Sequence, residues 1–274
     1  MTKTISVINT RISEIGPEHS LPLIRVGRDN DGGYVIPSMI LENTSFLFSG
    51  GYGNDFSFEK DFLAKSNASG AFLYDFSITL PKLLANFIGA SKAVLLRRDH
   101  YAMSYHLINI YTYLRLMLTP RISLIHSKLS NSGSTLGGKV SDLRSALDAI
   151  STDGKNRFFC KLDIEGYEYE LIDELVELEG RINGLVIEFH DTFSRRATFL
   201  TSLNLLKVNY AVSHTHVNNY GGVAPDGEPV VFEVTFLNRR LIPDLTSAVP
   251  PKESLVTHDQ PNDPKSPEIK LIFS

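Results

Sequence analysis

The chain has 274 residues, of which 42% are hydrophobic, and its formal net charge is −4. This mild charge, with Lys and Arg scattered along the chain, predicts no basic face for a phosphate backbone and therefore no nucleic-acid partner. The N-terminus lacks an apolar segment and no apolar stretch approaches the ~20 residues of a bilayer helix, so we expect neither a signal peptide nor a membrane span.

Residues 1–44 combine short apolar pieces with turns. Within them, "IRVGRDNDGGYVIP" predicts a β-hairpin around residues 30–33. The "DGGY" part of this hairpin fits either a plain tight turn or a cover over a cofactor, with Arg28 or Tyr34 as its wall.

Strands and helices alternate from residue 45 almost to the end of the chain. The predicted strands cover residues 45–50, 70–77, 121–130, 157–164, 182–191, 210–222 and 229–240. The predicted helices follow a glycine-rich turn within 51–66 and then cover 79–89, 98–118, 140–150, 167–178 and 192–209. This pattern predicts an α/β fold, a Rossmann-like seven-stranded mostly parallel sheet with helices on both faces and an antiparallel C-terminal hairpin.

We expect residues 1–241 to form a single domain. Residues 242–274 contain six prolines and are expected to pack irregularly on the body or to be partly mobile.

The tyrosine-rich helix at 98–118 is predicted to place some rings in the core and others along an acceptor groove or an oligomer contact. Cys160, the single cysteine, lies in an apolar run, which predicts a buried thiol and fits a reducing cytoplasm.

The segment "SGGYGNDFSFE" follows the first core strand, where ligands bind in open α/β sheets. Gly50, Gly51 and Gly53 lack Cβ atoms, so backbone N–H groups can approach a ligand closely. Asp55 or Ser57 can cap the helix that follows. We therefore predict that this turn binds a cofactor, with Asp55 and Ser57 as cofactor-binding residues beside the three glycines.

Asp75 ends the second core strand, 22 residues after Gly53. An acid at that place can accept hydrogen bonds from both hydroxyls of an adenosine ribose, in S-adenosylmethionine as well as in a nicotinamide cofactor. A dinucleotide site would carry a third glycine where this chain has Phe56. Asp55 and Glu59 at the helix start oppose a pyrophosphate and suit the sulfonium and ammonium of adenosylmethionine.

Acidic and imidazole side chains gather where later strands end. They are Asp163 and Glu165 after the fourth core strand, Glu188 and His190 on the fifth, and His214, His216 and Asn218 on the sixth. Alternation along a strand puts Glu188 and His190 on one face. Because parallel strands end at one edge of the sheet, we expect a shared pocket there.

Two chemistries fit this pocket. In one, Asp163, Glu188 and His190 bind Mg²⁺ or Mn²⁺, which lowers the pKa of an acceptor hydroxyl, and His190 or His216 takes the proton. In the other there is no metal, and a histidine acts as general base with a carboxylate fixing its tautomer. The candidate catalytic residues are His190, Glu165 and His216, and Asp163 is also a candidate cofactor-binding residue.

Structural roles compete with these assignments. Glu165 can pair with a local Lys or cap the following helix. Glu168 and Glu170 are expected to be solvated charges on a helix face, and His214 is expected to be structural.

Five segments resemble the FkbM-type family of class I S-adenosylmethionine-dependent methyltransferases. They are "DGGYVIP", "SGGYGNDFSFEKDF", "KLDIEGYEYELI", "VIEFH" and "HVNNYGG", in the usual order across residues 25–236. The resemblance implies that Gly51, Gly53 and Asp75 hold the cofactor and that the ends of the fourth and fifth strands face the substrate. The family mainly methylates hydroxyls, often on sugars of surface polysaccharides or natural products. The helix at 98–118 and the proline-rich tail depart from the shared pattern.

The leading hypothesis is therefore an O-methyltransferase acting on a sugar hydroxyl of a glycan or nucleotide-sugar precursor. A homo-oligomer is compatible with this hypothesis. An NAD-dependent oxidoreductase on the same kind of sheet is a second hypothesis. A non-catalytic relative that binds adenosylmethionine or a glycan is a third.

Overall fold

The computed structural model describes residues 5–97, 100–131, 140–152, 154–242, 251–254 and 256–273. The strands in these ranges are β1 (Ile5–Thr10), β2 (Leu23–Gly27), β3 (Gly33–Pro37), β4 (Phe46–Gly50), β5 (Gly70–Tyr74), β6 (Ile122–Ile125), β7 (Lys128–Leu129), β8 (Val140–Ser141), β9 (Phe158–Leu162), β10 (Ile182–Phe189), β11 (Tyr210–Val217), β12 (Phe232–Asn238) and β13 (Glu268–Phe273). The α-helices are α1 (Ile40–Asn43), α2 (Ser57–Lys65), α3 (Leu80–Arg97), α4 (His100–Met117), α5 (Leu143–Ile150), α6 (Ile172–Glu177) and α7 (Arg196–Asn209).

Seven strands form the central sheet in the order β11-β12-β10-β9-β4-β5-β6. Only β12 runs antiparallel to its neighbours among these described strands. The predicted seven-stranded mostly parallel sheet with an antiparallel C-terminal hairpin is therefore confirmed. The chain builds outward from β4 in both directions, through β5 on one side and β9 on the other. Their carboxyl ends border the crevice where ligands bind in this type of sheet.

The side chains of the sheet divide between two apolar layers. Along β9, Phe158, Cys160 and Leu162 join the core formed with α5, α6 and α7. Phe159 points the other way, into the core formed with α2, α3, α4 and the β2–β3 hairpin. Cys160 is fully buried with a free thiol, as the apolar run predicts. None of the helices in the described ranges combines the length and apolar composition that crossing a bilayer requires.

Local contacts shift two predicted boundaries. The helix predicted at 140–150 begins at Leu143, because the Asp142 carboxylate caps it by accepting the Ser145 N–H at 2.7 Å. The two residues before the cap form β8, which pairs with β7. The strand predicted at 121–130 is correspondingly divided into β6 and β7.

The C-terminal tail is more regular than predicted. Its strand β13 pairs in parallel with β1, and Ile269 and Leu271 join the main core. The alternating apolar pattern of "EIKLIF" supports this strand, whose partner lies at the opposite end of the chain. Residues 243–250, 255 and 274, which the tail prediction also covers, lie outside the described residues.

The predicted helix at 98–118 corresponds to α4, and residues 98 and 99 lie outside the described residues. Tyr113 is buried against the body, whereas Tyr105 and Tyr111 are exposed. The expected division of the tyrosines between core and surface is therefore observed for these three.

Candidate functional site

Two adjoining cavities open at the carboxyl ends of the central strands. The first, which we call the apolar cavity, has a volume of about 260 Å³ and is lined by Gly51, Asp75, Phe76, Leu129, Ile164 and Tyr167 among others. The second, which we call the acidic cavity, has a volume of about 440 Å³ and is lined by Asp31, Asp55, Glu59, Glu188, His190 and Asn218 among others. Gly53, Asp163 and Glu165 border both cavities, so the two spaces meet at these residues.

The glycine turn after β4 packs against the end of β9. Gly51 has φ +86°, and a Cβ there would lie 1.7 Å from the Asp163 carbonyl oxygen, so only glycine fits. Gly53 has φ +52°, and a Cβ there would meet nothing within 4 Å, which leaves open space at the junction of the cavities. A Cβ added at Gly50 would lie 2.9 Å from the Leu129 side chain, and Gly50 lines neither cavity. It is therefore a packing residue and leaves the predicted cofactor-binding set.

Asp75 follows β5 and is fastened to the glycine turn. One carboxylate oxygen accepts the Tyr52 N–H at 2.9 Å, and the other accepts the N–H and the hydroxyl of Ser77, each at 2.6 Å. A carboxylate offers about four acceptor positions, so one remains for a ligand hydroxyl. Asp75 is thus held rigidly at the wall of the apolar cavity, at the end of the second core strand.

Aromatic rings flank the mouth of the apolar cavity. The Phe76 side chain is 51% exposed and the Tyr167 side chain is 37% exposed. The Lys128 ammonium lies 3.8 Å from the centroid of the Tyr167 ring, on its face. These walls suit a planar, partly apolar ligand group.

The start of α2 is held by Asp55. Its carboxylate accepts the Ser57 N–H at 3.1 Å and the Ser57 hydroxyl at 2.8 Å, and it lies 3.3 Å from Nε of Arg28. Asp55 also lines the acidic cavity, whereas Ser57 lines neither cavity. Ser57 is therefore a local hydrogen-bond partner of Asp55 at the start of α2, which corrects its assignment to cofactor binding.

His190 stands among four carboxylates. Its Nε2 lies 3.6 Å from Glu165, 3.6 Å from Glu188 and 4.0 Å from Asp163. On its other side, Nδ1 lies 3.4 Å from Oε1 of Glu168, and the same oxygen accepts the backbone N–H of His190 at 2.8 Å. Nδ1 therefore faces a fixed partner, and Nε2 faces the acidic cavity.

Glu168 is fully buried, so its prediction as a solvated charge is wrong. The residues predicted to start a regular helix form a 3₁₀ turn, Glu168–Leu171, and Glu168 turns inward to accept the Gly166 N–H at 2.8 Å. Glu170 is half-buried and accepts a hydrogen bond from the Ser130 hydroxyl. Sequence spacing alone gave no signal that these two acids face inward.

The acids shift the protonation equilibria of the cluster. Burial lowers the pKa of His190, but the hydrogen bond to Glu168 and the negative charge of Glu188 outweigh it and raise the pKa to about 9. Burial, followed by the charge of Asp163, raises the pKa of Glu188 well above its usual value. The group is therefore an electrostatically coupled unit.

The β2–β3 hairpin covers this cluster. The Tyr34 hydroxyl lies 3.1 Å from Asp163 and 3.2 Å from Glu188, and can donate to either. The second oxygen of Glu188 accepts from the Asn218 amide at 2.8 Å. Arg28 also lines the acidic cavity, so the hairpin forms a wall of the site as well as a turn.

Lys161 brings a buried positive charge that sequence analysis overlooked. Its Nζ donates to the Gly51 carbonyl at 3.3 Å and lies 3.6 Å from Asp163. Burial lowers the pKa of Lys161, but the charges of Asp163 and Glu59 more than compensate and raise it. Alternation within "FFCKLDI" could have found it, since Lys161 shares a strand face with Asp163.

The histidines of β11 do not join this cluster. His214 Nε2 lies 2.9 Å from Asp259. His216 has Nδ1 at 3.2 Å from Glu233 and Nε2 at 3.0 Å from Glu268, and it lines neither cavity. Because both its nitrogens face buried carboxylates, we withdraw His216 from the candidate catalytic residues.

Three of the groups could hold a metal ion. One ligand atom each from Asp163, Glu165 and His190 lie within 4.8 Å of one another. Two carboxylates and an imidazole suit Mn²⁺ or a similar divalent cation. Glu188 was also predicted as a ligand, but both its carboxylate oxygens accept hydrogen bonds, one from Tyr34 and the other from Asn218.

No protein-family model matches the chain, and no curated protein matches it. Among solved structures, the 23S rRNA methyltransferase ErmE is 12% identical with a TM-score of 0.38, over 76% of this chain and 66% of that chain. Spermidine synthase from Thermotoga maritima is 11% identical with a TM-score of 0.41, over 74% and 56% of the two chains. The precorrin-6y C5,15-methyltransferase from Geobacter metallireducens GS-15 is 13% identical with a TM-score of 0.37, over 73% and 85%.

The chain thus spans slightly less than two thirds of the first of these structures and little more than half of the second. Similarity at this level assigns no activity to the chain. The site has to be interpreted from its own geometry.

Proposed function

We propose that the protein transfers a methyl group from S-adenosylmethionine to a sugar hydroxyl of a glycan or nucleotide-sugar precursor. The observation that carries this proposal is the junction of the two cavities. A partly apolar cavity with a fixed carboxylate meets an acidic cavity with an imidazole, and Gly53, Asp163 and Glu165 border both. Two ligands bound in these spaces would meet at that junction.

The apolar cavity suits the adenosine part of the donor. The remaining acceptor position of Asp75 can take a ribose hydroxyl, and Phe76 and Tyr167 can flank the purine. When bound, the donor supplies an electrophilic methyl group on a sulfonium. Asp163 and Glu165 at the junction favour the positive charges of its sulfonium and ammonium.

The acids of the acidic cavity disfavour a dinucleotide. A pyrophosphate running past Gly53 would meet Asp55, Glu59 and Asp163, which line the cavity beyond it. Asp55 and Asp163 are half-buried and Glu59 is buried, so solvent screens their repulsion of a phosphate less than it would at an exposed site. The same charges therefore support a sulfonium donor over a nicotinamide cofactor.

The acidic cavity suits an acceptor with several hydroxyls. Carboxylates accept hydrogen bonds from hydroxyl groups, and the 64% exposed ring of Tyr220 offers an apolar face at the cavity wall. This combination of polar groups and an aromatic face supports a sugar acceptor.

His190 supplies the base in this proposal. Glu168 holds Nδ1, so deprotonated His190 presents the lone pair of Nε2 to the acceptor, and the pKa of about 9 predicts that transfer rises with pH up to about that value. Nε2 takes the hydroxyl proton as the new oxygen–carbon bond forms and the sulfur–carbon bond breaks in line with it. Positioning of the two ligands supplies much of the rate enhancement.

The test is a methyl-transfer screen with labelled donor over nucleotide sugars and oligosaccharides. His190→Ala should lower kcat about 10²- to 10⁴-fold on the acceptor that is found, while binding of S-adenosylhomocysteine is retained. His258→Ala is the control, because His258 is exposed and lines neither cavity. Full activity of His190→Ala would remove His190 from the mechanism. Donor binding with no transfer to any sugar would instead support a non-catalytic binding protein.

The convergence of Asp163, Glu165 and His190 favours a second version of this chemistry. A divalent cation held by these groups would lower the pKa of the acceptor hydroxyl. His190 cannot then be the base, because its Nε2 would be a ligand. Loss of transfer on addition of EDTA, with recovery on addition of Mn²⁺, would select this version. Transfer that is indifferent to EDTA would select His190 as the base.

A further inference from the structure

The helical hairpin α3–α4 exposes a large apolar surface. Its most exposed apolar side chains on α4 are Ile108 at 61%, Tyr111 at 60% and Leu118, just after the helix, at 83%. The opposite side of α4, with Tyr113 and Leu116, packs on the body of the protein. Contiguous exposed apolar residues of this kind mark an interaction surface.

The same part of the chain is strongly basic. Residues 76–141 contain eight Lys and Arg and a single acid, Asp99, which is a net charge of +7 in a chain whose total is −4. Lys82, Arg115 and Arg121 are exposed on or next to the hairpin. Lys and Arg are hardly denser here than in the whole chain, eight in 66 residues against 27 in 274, so the positive charge of this segment comes from its lack of acids.

This combination of charge and side-chain type discriminates between partners. A second copy of the chain would bring two positive surfaces together, which costs electrostatic energy in a symmetric dimer. A single-stranded nucleic acid would favour aromatic platforms for its bases, whereas this surface is mainly Leu, Ile and Met. Aliphatic and tyrosine side chains among Lys and Arg are typical of helices that lie at the surface of an anionic membrane.

We propose that the α3–α4 hairpin binds the surface of an anionic phospholipid bilayer, with the exposed apolar residues of α4 entering the headgroup region. The hairpin adjoins the candidate site, because a small third cavity of about 210 Å³ is lined by Tyr105 of α4 together with Asn54 and Ser77. Ser77 also lines the apolar cavity. Binding in this way holds the two main cavities close to the lipid surface, and it requires neither donor nor methyl transfer.

The test is sedimentation of the full chain with vesicles. The protein should bind vesicles of phosphatidylcholine and phosphatidylglycerol in equal parts, bind phosphatidylcholine alone at least about tenfold more weakly, and be released by high salt. The double variant Ile108→Glu/Tyr111→Glu should lower the partition coefficient more than about tenfold. The control is Val208→Glu on α7, which is 67% exposed and belongs to the opposite face of the sheet, and it should bind as the unaltered chain does.

Thermal unfolding of each variant establishes that it is folded, which the exposure of all three positions leads us to expect. Failure of the unaltered chain to bind the anionic vesicles would overturn the proposal, as would an equal loss of binding in Val208→Glu. A dimer of the unaltered chain in sedimentation velocity that becomes monomeric in Ile108→Glu/Tyr111→Glu would assign the surface to a second copy instead.

Discussion

Glu165 and Asp191 each adopt a left-handed backbone conformation, with φ of +54° and +55°. Glu165 follows the end of β9, and Asp191 follows the end of β10 directly after His190. For a residue other than glycine this conformation costs about 1–2 kcal/mol. Such strain at two neighbouring strand ends is typical of functional sites, and at Glu165 it brings the carboxylate to within 3.6 Å of His190.

Replacing Glu165 by Gly should therefore raise the free energy of unfolding by about 1 kcal/mol and lower methyl transfer. Urea unfolding and the transfer assay measure the two effects. Asp191→Gly is the matched control, since it relieves the same strain but the exposed Asp191 side chain lines neither cavity. Equal activity of the two variants would show that the Glu165 carboxylate has no part in the reaction.

The Glu168–His190 contact gives a second prediction at this scale. Glu168→Gln keeps the size of the side chain but removes the charge that holds Nδ1, so kcat should fall about 10- to 100-fold while affinity for S-adenosylhomocysteine stays unchanged. Glu170→Gln, whose carboxylate faces Ser130, should retain activity. If both variants are equally active, Glu168 is only a structural partner of the backbone.

At the scale of elements, the tail is fastened to β11 by buried charged groups. His216 lies between Glu233 of β12 and Glu268 of β13. Burial lowers the pKa of His216, but the hydrogen bonds to Glu233 and then Glu268 more than compensate and raise it to about 10. The contact therefore joins the C-terminal strand to the central sheet most strongly while His216 is protonated.

This contact predicts a pH dependence of stability. The pKa of His216 is higher in the folded than in the unfolded chain, so its contribution is fully present below about pH 6.5 and is lost as the pH rises through about 10. The free energy of unfolding should fall over that interval, by about 1.4 kcal/mol for each unit of pKa shift. Denaturant unfolding at pH 6 and pH 9 measures it, and His216→Gln should show a weaker dependence. An equal dependence in the variant would assign the effect to other groups.

The sequence predicted the strands of the central sheet well, because hydrophobic periodicity is a local property, but it did not predict β13. It could not predict the order of neighbours. His216 seemed close to His190 because β11 follows β10 in the chain, but β12 inserts between them, and His216 lies opposite Glu233 rather than at the site. The pairing of β13 with β1 was equally hidden, since the two strands lie at opposite ends of the chain.

The same contrast between local pattern and tertiary order applies to the predicted site residues. Asp75, Asp163 and His190 line the cavities because each ends or follows a strand of the parallel sheet. Glu168 was assigned to solvent because helical periodicity does not reveal a 3₁₀ turn at the helix start. Tyr34 needed the docking of the β2–β3 hairpin over the sheet, which no local pattern specifies.

At the scale of the whole molecule, the net charge of −4 conceals an uneven distribution. The acidic cavity collects carboxylates from β9, β10, α2 and the β2–β3 hairpin, while residues 76–141 carry a net +7. The two regions meet near Ser77, which borders the apolar cavity and begins the approach to α3. Negative charge therefore surrounds the proposed reacting groups, whereas the exposed basic side chains Lys82, Arg115 and Arg121 lie on or next to the proposed membrane surface.

The junction of the two cavities is proposed to bind a sulfonium nucleoside rather than a dinucleotide. Calorimetric titration of the unaltered chain with S-adenosylhomocysteine, and separately with NAD, tests it most directly. We predict a single site for S-adenosylhomocysteine with a micromolar Kd and no measurable heat from NAD. Saturable binding of NAD without binding of S-adenosylhomocysteine would contradict the account.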